Sequence, residues 1–226
     1  MAPPPACGPG TLRRAYVDDF LSRHAAALPG GSQVLDLGGH RRDKRGRFSL
    51  DLCDVRPVYA DLSVTHSPHI QAEAGHLPFR DRAFDAVVCT ELLEHVYQPG
   101  TVLREAHRVL RRGGALLVCA PFLHRVHDDP EDYGRYTAGF YRRALAEVGF
   151  SVETIEQQGL FFSVAADLVG QYLSGSGLPG WLARVLRPGG SALRRWAVWR
   201  EAAPRVRADP FLASFATGFG VVARKP

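Results

Sequence analysis

Two short stretches of the chain carry histidines and carboxylates at spacings that suit proton transfer or metal binding. Glu91, Glu94 and His95 are spaced so that one helical turn would place all three near one face. His124 and His127 lie in a second stretch that is rich in aspartate. An imidazole titrates near neutral pH and can take a proton from a hydroxyl or an amine. Oxygen and imidazole ligands also suit a magnesium, manganese or zinc ion.

Aspartates also mark two apolar segments in the first half of the chain. Asp36 lies in the apolar run 33–38, and Asp61 directly follows the run 58–60. Continuous apolar runs of this kind are typical of buried parallel strands. Gly38 and Gly39 follow the first run, where the backbone must turn sharply.

The rest of the pattern alternates strands with helices. This alternation predicts a doubly wound α/β sheet, with ligands bound outside the carboxyl ends of the strands where the strand order reverses. We expect glycines to end two of the helices, at Gly113-Gly114 and at Gly149. Further strands are predicted at 84–89, 114–120, around 150–155 and at 215–224, and helices at 11–28, 99–112 and 138–148.

Four segments resemble, in the right order, the motifs of class I S-adenosylmethionine-dependent methyltransferases. Val34-Leu-Asp-Leu-Gly-Gly39 resembles the first motif, although His40 stands where the second glycine is expected. Residues 72–79 are similar to the segment D-A-x-x-L-P-F, and 84–96 and 109–118 are similar to the elements around strands four and five in the small-molecule, type-11-like branch. The resemblance covers about residues 34–150. It implies a Rossmann-like sheet of seven strands, mostly parallel, with an antiparallel C-terminal strand.

The resemblance also implies which residues contact the cofactor, S-adenosylmethionine. Asp36 faces its methionine end, and the glycines let the backbone approach closely. Asp61 accepts hydrogen bonds from both ribose hydroxyls, a task that suits the two oxygens of a carboxylate. Asp51 and Asp54 are alternatives, disfavoured because no strand immediately precedes either. The implied cofactor contacts are Asp36, Gly38, Gly39, Asp61, Leu62, Glu73, Ala74 and Thr90.

A divalent metal is a further expectation from resemblance. Glu91, Glu94, His95 and His127 together resemble the metal site of plant small-RNA 2′-O-methyltransferases, and the E-x-x-E-H portion also occurs in ubiquinone-pathway O-methyltransferases. Such an ion lowers the pKa of an acceptor hydroxyl. The alternative is that Glu94 and His95 are structural and bind no metal. For a general base we favour His127, then His124 and His95.

Residues 160–210 do not fit the alternation of strands and helices. They contain all three tryptophans and seven arginines. We expect a helical insertion, within a methyltransferase domain at 29–226 that follows an N-terminal segment and helix at 1–28. Four roles stay open for this insertion. It is a structural insertion with solvated arginines, a lid over the site, a dimer arm, or a basic surface for membrane or nucleic acid.

Composition sets the remaining expectations. The 226 residues are 46% hydrophobic and 23% charged, which excludes disordered and coiled-coil classes. The net charge of +5 is carried almost wholly by arginine, which resembles a composition bias more than a nucleic-acid surface. No apolar run is long enough to span a membrane. We therefore expect a cytoplasmic, bacterial, biosynthetic enzyme that methylates an oxygen or nitrogen of a small molecule. A homodimer is an open alternative for its assembly. The rivals are an RNA methyltransferase using metal and a cofactor-binding fold that transfers no methyl group.

Overall fold

The central feature of the molecule is a seven-stranded sheet with strand order β3-β2-β1-β4-β5-β7-β6. The computed structural model describes residues 11–42, 46–127, 131–175 and 177–226. Strands β1 to β5 are parallel, and β7 runs antiparallel to both of its neighbours. The strands are β1 (Ser32–Leu37), β2 (Val55–Asp61), β3 (Ile70–Gln71), β4 (Phe84–Thr90), β5 (Leu110–Pro121), β6 (Ser151–Gln158) and β7 (Gly218–Arg224).

Helices cover both faces of this sheet, as the sequence predicts for a doubly wound fold. The helices are α1 (Leu12–His24), α2 (Pro99–Val109), α3 (Ala138–Val148), α4 (Phe161–Gly175), α5 (Gly180–Glu201) and α6 (Pro204–Arg207). Successive strand residues point to opposite faces. Leu35 and Leu37 therefore pack in the core cluster that contains α2 and α3, whereas Val34 packs with Phe20 of α1. Asp36 has the same parity as Val34, which places it on the α1 side of β1.

The predicted end of helix α2 at Gly113-Gly114 is wrong. The helix ends at Val109, and Leu110 already pairs with Phe84 of β4. The next pair of the two strands joins Ala86 to Ala115, so residues 111–114 form an irregularity inside β5. Leu110 is fully buried, and its strand pairing stops the helix before the glycines are reached. The expected cap at Gly149 is present, with φ of 102°.

The insertion after β6 is helical, as expected, and forms a cap of α4, α5 and α6. Buried Glu201 at the end of α5 accepts hydrogen bonds from the backbone N–H (2.6 Å) and hydroxyl (2.7 Å) of Ser163 in α4. The hydroxyls of Ser163 and Tyr16 of α1 lie 2.9 Å apart. These bonds fix the cap to the N-terminal helix. Within the described residues, no helix is long and apolar enough to cross a membrane.

Candidate active site

A cavity of about 380 Å³ opens beyond the carboxyl ends of β1 and β4. The chain order of the strands reverses between these two neighbours, which is where doubly wound sheets bind ligands. The cavity brings together many of the residues that the sequence singled out, together with the N-terminal half of α1. Those lining residues are Asp36, Gly38, Gly39, Thr90, Glu91, His95, His124 and His127.

Asp36 and the two glycines form the floor of this cavity. Gly38 has φ of +70°, a left-handed conformation that favours glycine. A Cβ atom on Gly39 would lie 2.2 Å from the carboxyl carbon of Asp36, so only glycine lets the loop pass this close to the carboxylate. The sharp turn predicted from Gly38-Gly39 is therefore present. It leaves the Asp36 carboxylate at the edge of the cavity.

Arg13 of α1 is a site residue that the sequence analysis missed. Its side chain is buried, and its Nη2 donates to Oε1 of Glu91 at 2.5 Å. Another of its nitrogens donates to Gln158 at the end of β6. Glu91 has φ of 52°, a conformation that costs a non-glycine residue about 1–3 kcal/mol and occurs often at functional sites. No local pattern marks Arg13, because its partners lie 78 and 145 positions away.

The residues expected at the ribose and adenine lie outside this cavity. Asp61 ends β2, where its Oδ1 accepts from the backbone N–H of Ser63 (2.7 Å) and its Oδ2 lies 3.0 Å from Nδ1 of His66. Leu62 is exposed, the Glu73 side chain is 66% exposed, and Ala74 packs against the core. His40, which replaces the motif's second glycine, stacks on His66 with ring centroids 3.4 Å apart.

Three histidines meet at one side of the cavity. The ring of His127 makes edge contacts with those of His95 (5.1 Å between centroids) and His124 (5.2 Å). Burial, with the nearby His127, lowers the pKa of His124 to about 4, so this imidazole is neutral near pH 7. Nδ1 of His127 lies 3.3 Å from Oδ2 of Asp132. Hydrogen bonds from Arg135 hold the pKa of Asp132 well below its usual range, so Asp132 is a carboxylate able to orient the imidazole.

Glu94 lies beside these histidines in an unusual environment. Its side chain has no exposed surface, and neither carboxylate oxygen has a hydrogen-bond partner among the described residues. Burial and the neighbouring Glu91 raise its pKa to about 8. Ligand atoms of Glu94, His95 and His127 all lie within 4.8 Å of one another. Glu91, the fourth residue expected at a metal, lies outside this group and pairs with Arg13.

A second cavity of about 1000 Å³ lies between α4, α5 and the segment after β5. Thr11 and His124 line both cavities, so the two adjoin. A chain of polar contacts joins them: the side-chain amide of Gln171 lies 3.2 Å from Nδ1 of His124 and donates to Asp167. Asp167 in turn accepts from the backbone N–H of Leu12 (2.8 Å). The expected insertion thus supplies a wall beside the predicted catalytic histidines.

Comparison with known proteins finds a family match over part of the chain. Residues 46–118 match the family model described as a methyltransferase domain. Over this third of its length the chain is similar to the class I S-adenosylmethionine-dependent methyltransferases. The ubiquinone/menaquinone biosynthesis C-methyltransferase UbiE of Haemophilus ducreyi is 34% identical over 105 residues, which are 39% of this chain and 40% of that protein. UbiE of Shewanella frigidimarina is 35% identical over 123 residues, 45% and 49% of the two chains. The chain thus spans less than half the length of these relatives.

Solved structures share this fold over nearly the whole chain. The [4+2]-cyclase SpnF aligns with a TM-score of 0.60 at 20% identity, covering 100% of this chain and 89% of that one. The Burkholderia thailandensis 1,6-didemethyltoxoflavin-N1-methyltransferase, crystallised with its acceptor and S-adenosylhomocysteine, aligns with a TM-score of 0.53 at 15% identity, covering 95% and 78%. At these identities the likeness concerns the fold.

The site residues fit the family cofactor, S-adenosylmethionine. The Asp36 carboxylate suits the ammonium group of the methionine portion, and the Gly38-Gly39 turn leaves space that a side chain would fill. Asp61 stands at the end of the neighbouring strand β2, on the same edge of the sheet as Asp36. To accept hydrogen bonds from both ribose hydroxyls, the Asp61 carboxylate must give up its contact with Nδ1 of His66. Thr90 ends β4 on the opposite side of β1.

Proposed function

We propose that the chain transfers the methyl group of S-adenosylmethionine to a small molecule bound in the cavity under the helical cap. The observation that carries the proposal is the junction of the two cavities at His124, with His127 in ring contact. One cavity has the carboxylate and glycine turn that suit the donor. The other, at about 1000 Å³, has the volume of a small-molecule site.

Residues of this chain then have separate tasks in the transfer. When bound, the cofactor supplies an electrophilic methyl group on a sulfonium. Asp36 holds its amino-acid portion, and the cap excludes water from the junction. His127, oriented by Asp132, takes the proton of an acceptor hydroxyl or amine at a ring nitrogen, and neutral His124 is the alternative base. Such a base contributes about 10²- to 10⁴-fold to the rate.

The acceptor atom is proposed to be an oxygen or a nitrogen, with carbon as the second candidate. Carbon is favoured by the curated relatives, which are C-methyltransferases. Removing the proton of a phenol serves both outcomes, because a phenolate is nucleophilic at its oxygen and at its ring carbons. A base beside the cavity junction therefore fits either reaction.

A divalent ion is proposed as a second component, held by Glu94, His95 and His127. The support is the buried carboxylate without a hydrogen-bond partner, since two imidazoles and a carboxylate are a common ligand set. The ion would supply Lewis acidity at the acceptor oxygen. His127 cannot both bind an ion and act as the base, so activity after EDTA treatment distinguishes the two assignments. Full activity without metal leaves His127 as the base.

The first experiment measures cofactor binding by calorimetry on the full chain. S-adenosylmethionine and S-adenosylhomocysteine should both bind, and Asp36→Asn should weaken binding by about 10- to 100-fold, since a hydrogen bond to a charged group contributes about 1.5–3 kcal/mol. Asp54→Asn, which changes an exposed carboxylate, is the matched control and should leave affinity unchanged. Absence of binding to the unmodified chain would overturn the proposal.

The second experiment follows transfer. The chain is incubated with labelled S-adenosylmethionine and a panel of phenols, catechols and amines. Formation of S-adenosylhomocysteine with a methylated product supports the proposal, and the carbon or proton shifts of that product identify the methylated atom. Tight cofactor binding without transfer to any acceptor contradicts it and favours a non-methylating role, as in the structurally similar cyclase.

A further inference from the structure

The positive charge of the chain is concentrated in the cap. Residues 161–207 contain seven arginines against two acidic residues, Asp167 and Glu201, which gives the cap a charge of +5. The remainder carries 21 basic and 21 acidic residues and is neutral. Asp167 and Glu201 are both buried, at 3% and 4% exposure. The segment 161–207 therefore presents arginines and no carboxylate to solvent.

Helix α5 also exposes large apolar side chains along one face. Trp181, Val185, Trp196 and Trp199 are 69%, 67%, 45% and 70% exposed. At about 3.6 residues per turn, these four positions fall within one narrow arc of the helix. The opposite side of the helix packs into the molecule through buried Ala197 and Val198. We refer to these four exposed residues as the tryptophan stripe.

Arginines flank the tryptophan stripe on both sides. The same helical spacing places Arg184 and Arg195 on one side of it and Arg200 on the other. Arg184 and Arg195 are exposed. An apolar stripe with tryptophan, bordered by basic residues, is the pattern of a helix that lies in the plane of a membrane surface. Tryptophan favours the headgroup region, and arginine pairs with phosphate.

We propose that the outer face of α5 binds the surface of an anionic phospholipid bilayer. The charge of the cap complements anionic headgroups, and no helix among the described residues could cross the bilayer instead. Single-stranded nucleic acid would also match arginine and tryptophan, but aliphatic Val185 in the stripe offers a base nothing to stack on.

The tryptophans make this proposal directly measurable, because all three residues of that type lie on α5. Tryptophan emission, excited at a wavelength that tyrosine does not absorb, therefore reports on this helix alone. Vesicles of phosphatidylcholine with about one-third phosphatidylglycerol should shift the emission to shorter wavelength and sediment with the protein. Acyl chains brominated near the headgroup should quench the emission. Binding should weaken as salt is raised, because salt screens the arginines. Neither cofactor nor acceptor is needed.

Variants separate the contributions of charge and apolar surface. Arg184→Glu with Arg195→Glu should lower vesicle affinity at least tenfold. Trp181→Ala with Trp199→Ala should do the same, with Trp196 left as the reporter. Arg104→Glu with Arg142→Glu changes exposed arginines of α2 and α3 by the same total charge and should leave binding unchanged. Unaltered thermal unfolding checks that each variant folds.

Three results would overturn the proposal. The first is that neither neutral nor anionic vesicles shift the emission of the unmodified chain. The second is equal loss of vesicle binding in the α5 and the control variants. The third is that the stripe binds a different partner. That partner would be a single-stranded oligonucleotide that displaces the vesicles, or a second copy of the chain, seen as a dimer in sedimentation together with loss of tryptophan exposure.

Discussion

Glu94 is a carboxylate in the candidate site with no exposed surface and no hydrogen-bond partner among the described residues. Desolvation disfavours its charged form, and Glu91 adds a like charge nearby, so its pKa rises to about 8. A buried carboxylate in this state destabilises the fold whenever it must ionise. Its position next to His95 and His127 is consistent with a functional task, either binding a cation or exchanging a proton.

This environment predicts a pH-dependent stability. The folded-state pKa of Glu94 lies above its unfolded value of about 4.3, so the folded state binds more protons between these two values. Glu94 therefore lowers the free energy of unfolding of EDTA-treated protein as pH rises from about 4.3 to 8. His124, whose pKa is lowered to about 4, has the opposite effect below its unfolded value of about 6.5, so the net fall is expected between about pH 6.5 and 8. Glu94→Gln should remove this fall and be the more stable form at pH 8, by about 1.4 kcal/mol for each unit of pKa elevation.

Urea unfolding at several pH values between 5 and 8 measures this difference. Glu73→Gln, which changes an exposed carboxylate, is the control and should follow the unmodified protein. Parallel pH profiles for Glu94→Gln and the unmodified protein would show that Glu94 is not the cause.

At the scale of elements, helix α1 is joined to the sheet by a charged contact. Arg13 is buried and bonds to Glu91 after β4 and to Gln158 at the end of β6. The contact places α1 against the cavity, where Arg14 and Leu21 also line the wall. A helix predicted only by apolar spacing is therefore part of the candidate site.

Arg13→Met should destabilise the fold by about 3–5 kcal/mol, because it leaves Glu91 without its cation in a partly buried place. Arg143→Met breaks a solvent-exposed pair with Glu147 within α3 and should cost much less, because exposed ion pairs contribute little. Chemical unfolding of both variants gives the comparison. In Arg13→Met with Glu91→Gln, part of the loss should return, and equal costs for the two single variants would refute the assignment.

At the scale of the whole molecule, α1 belongs to the core as well as to the site. Val17, Phe20, Leu21 and Ala25 are buried against the sheet. Its first turn also holds the cap, because the backbone N–H of Leu12 donates to Asp167. The sheet, α1 and the cap therefore close the two cavities together.

A chain that begins at residue 29 should consequently fail to fold. Burial of each large apolar side chain contributes about 1.5–3 kcal/mol, and three such losses approach the whole stability of a domain, about 5–15 kcal/mol. A chain that begins at Thr11 keeps α1 and its N-cap residue, and it should unfold cooperatively. Circular dichroism during heating tests both chains. A cooperative transition in the shorter chain would show that α1 is dispensable.

The sequence by itself determined the fold class, because long apolar runs and glycine turns are local features that specify strands and their ends. The resemblance to methyltransferases implied Asp36, Gly38, Gly39 and Thr90 as contacts of one ligand, and they line one cavity because parallel strands β1 and β4 end at one edge of the sheet. The sequence placed the end of α2 wrongly, because strand pairing of Leu110 depends on β4.

Only the tertiary structure decided which distant groups meet. Glu91 pairs with Arg13 and lies outside the group of ligand atoms formed by Glu94, His95 and His127. Arginine at position 13 has the same local sequence signature whether it faces water or a carboxylate 78 residues away. The burial of Asp167 and Glu201, which leaves the cap surface basic, likewise follows from packing between helices and not from composition.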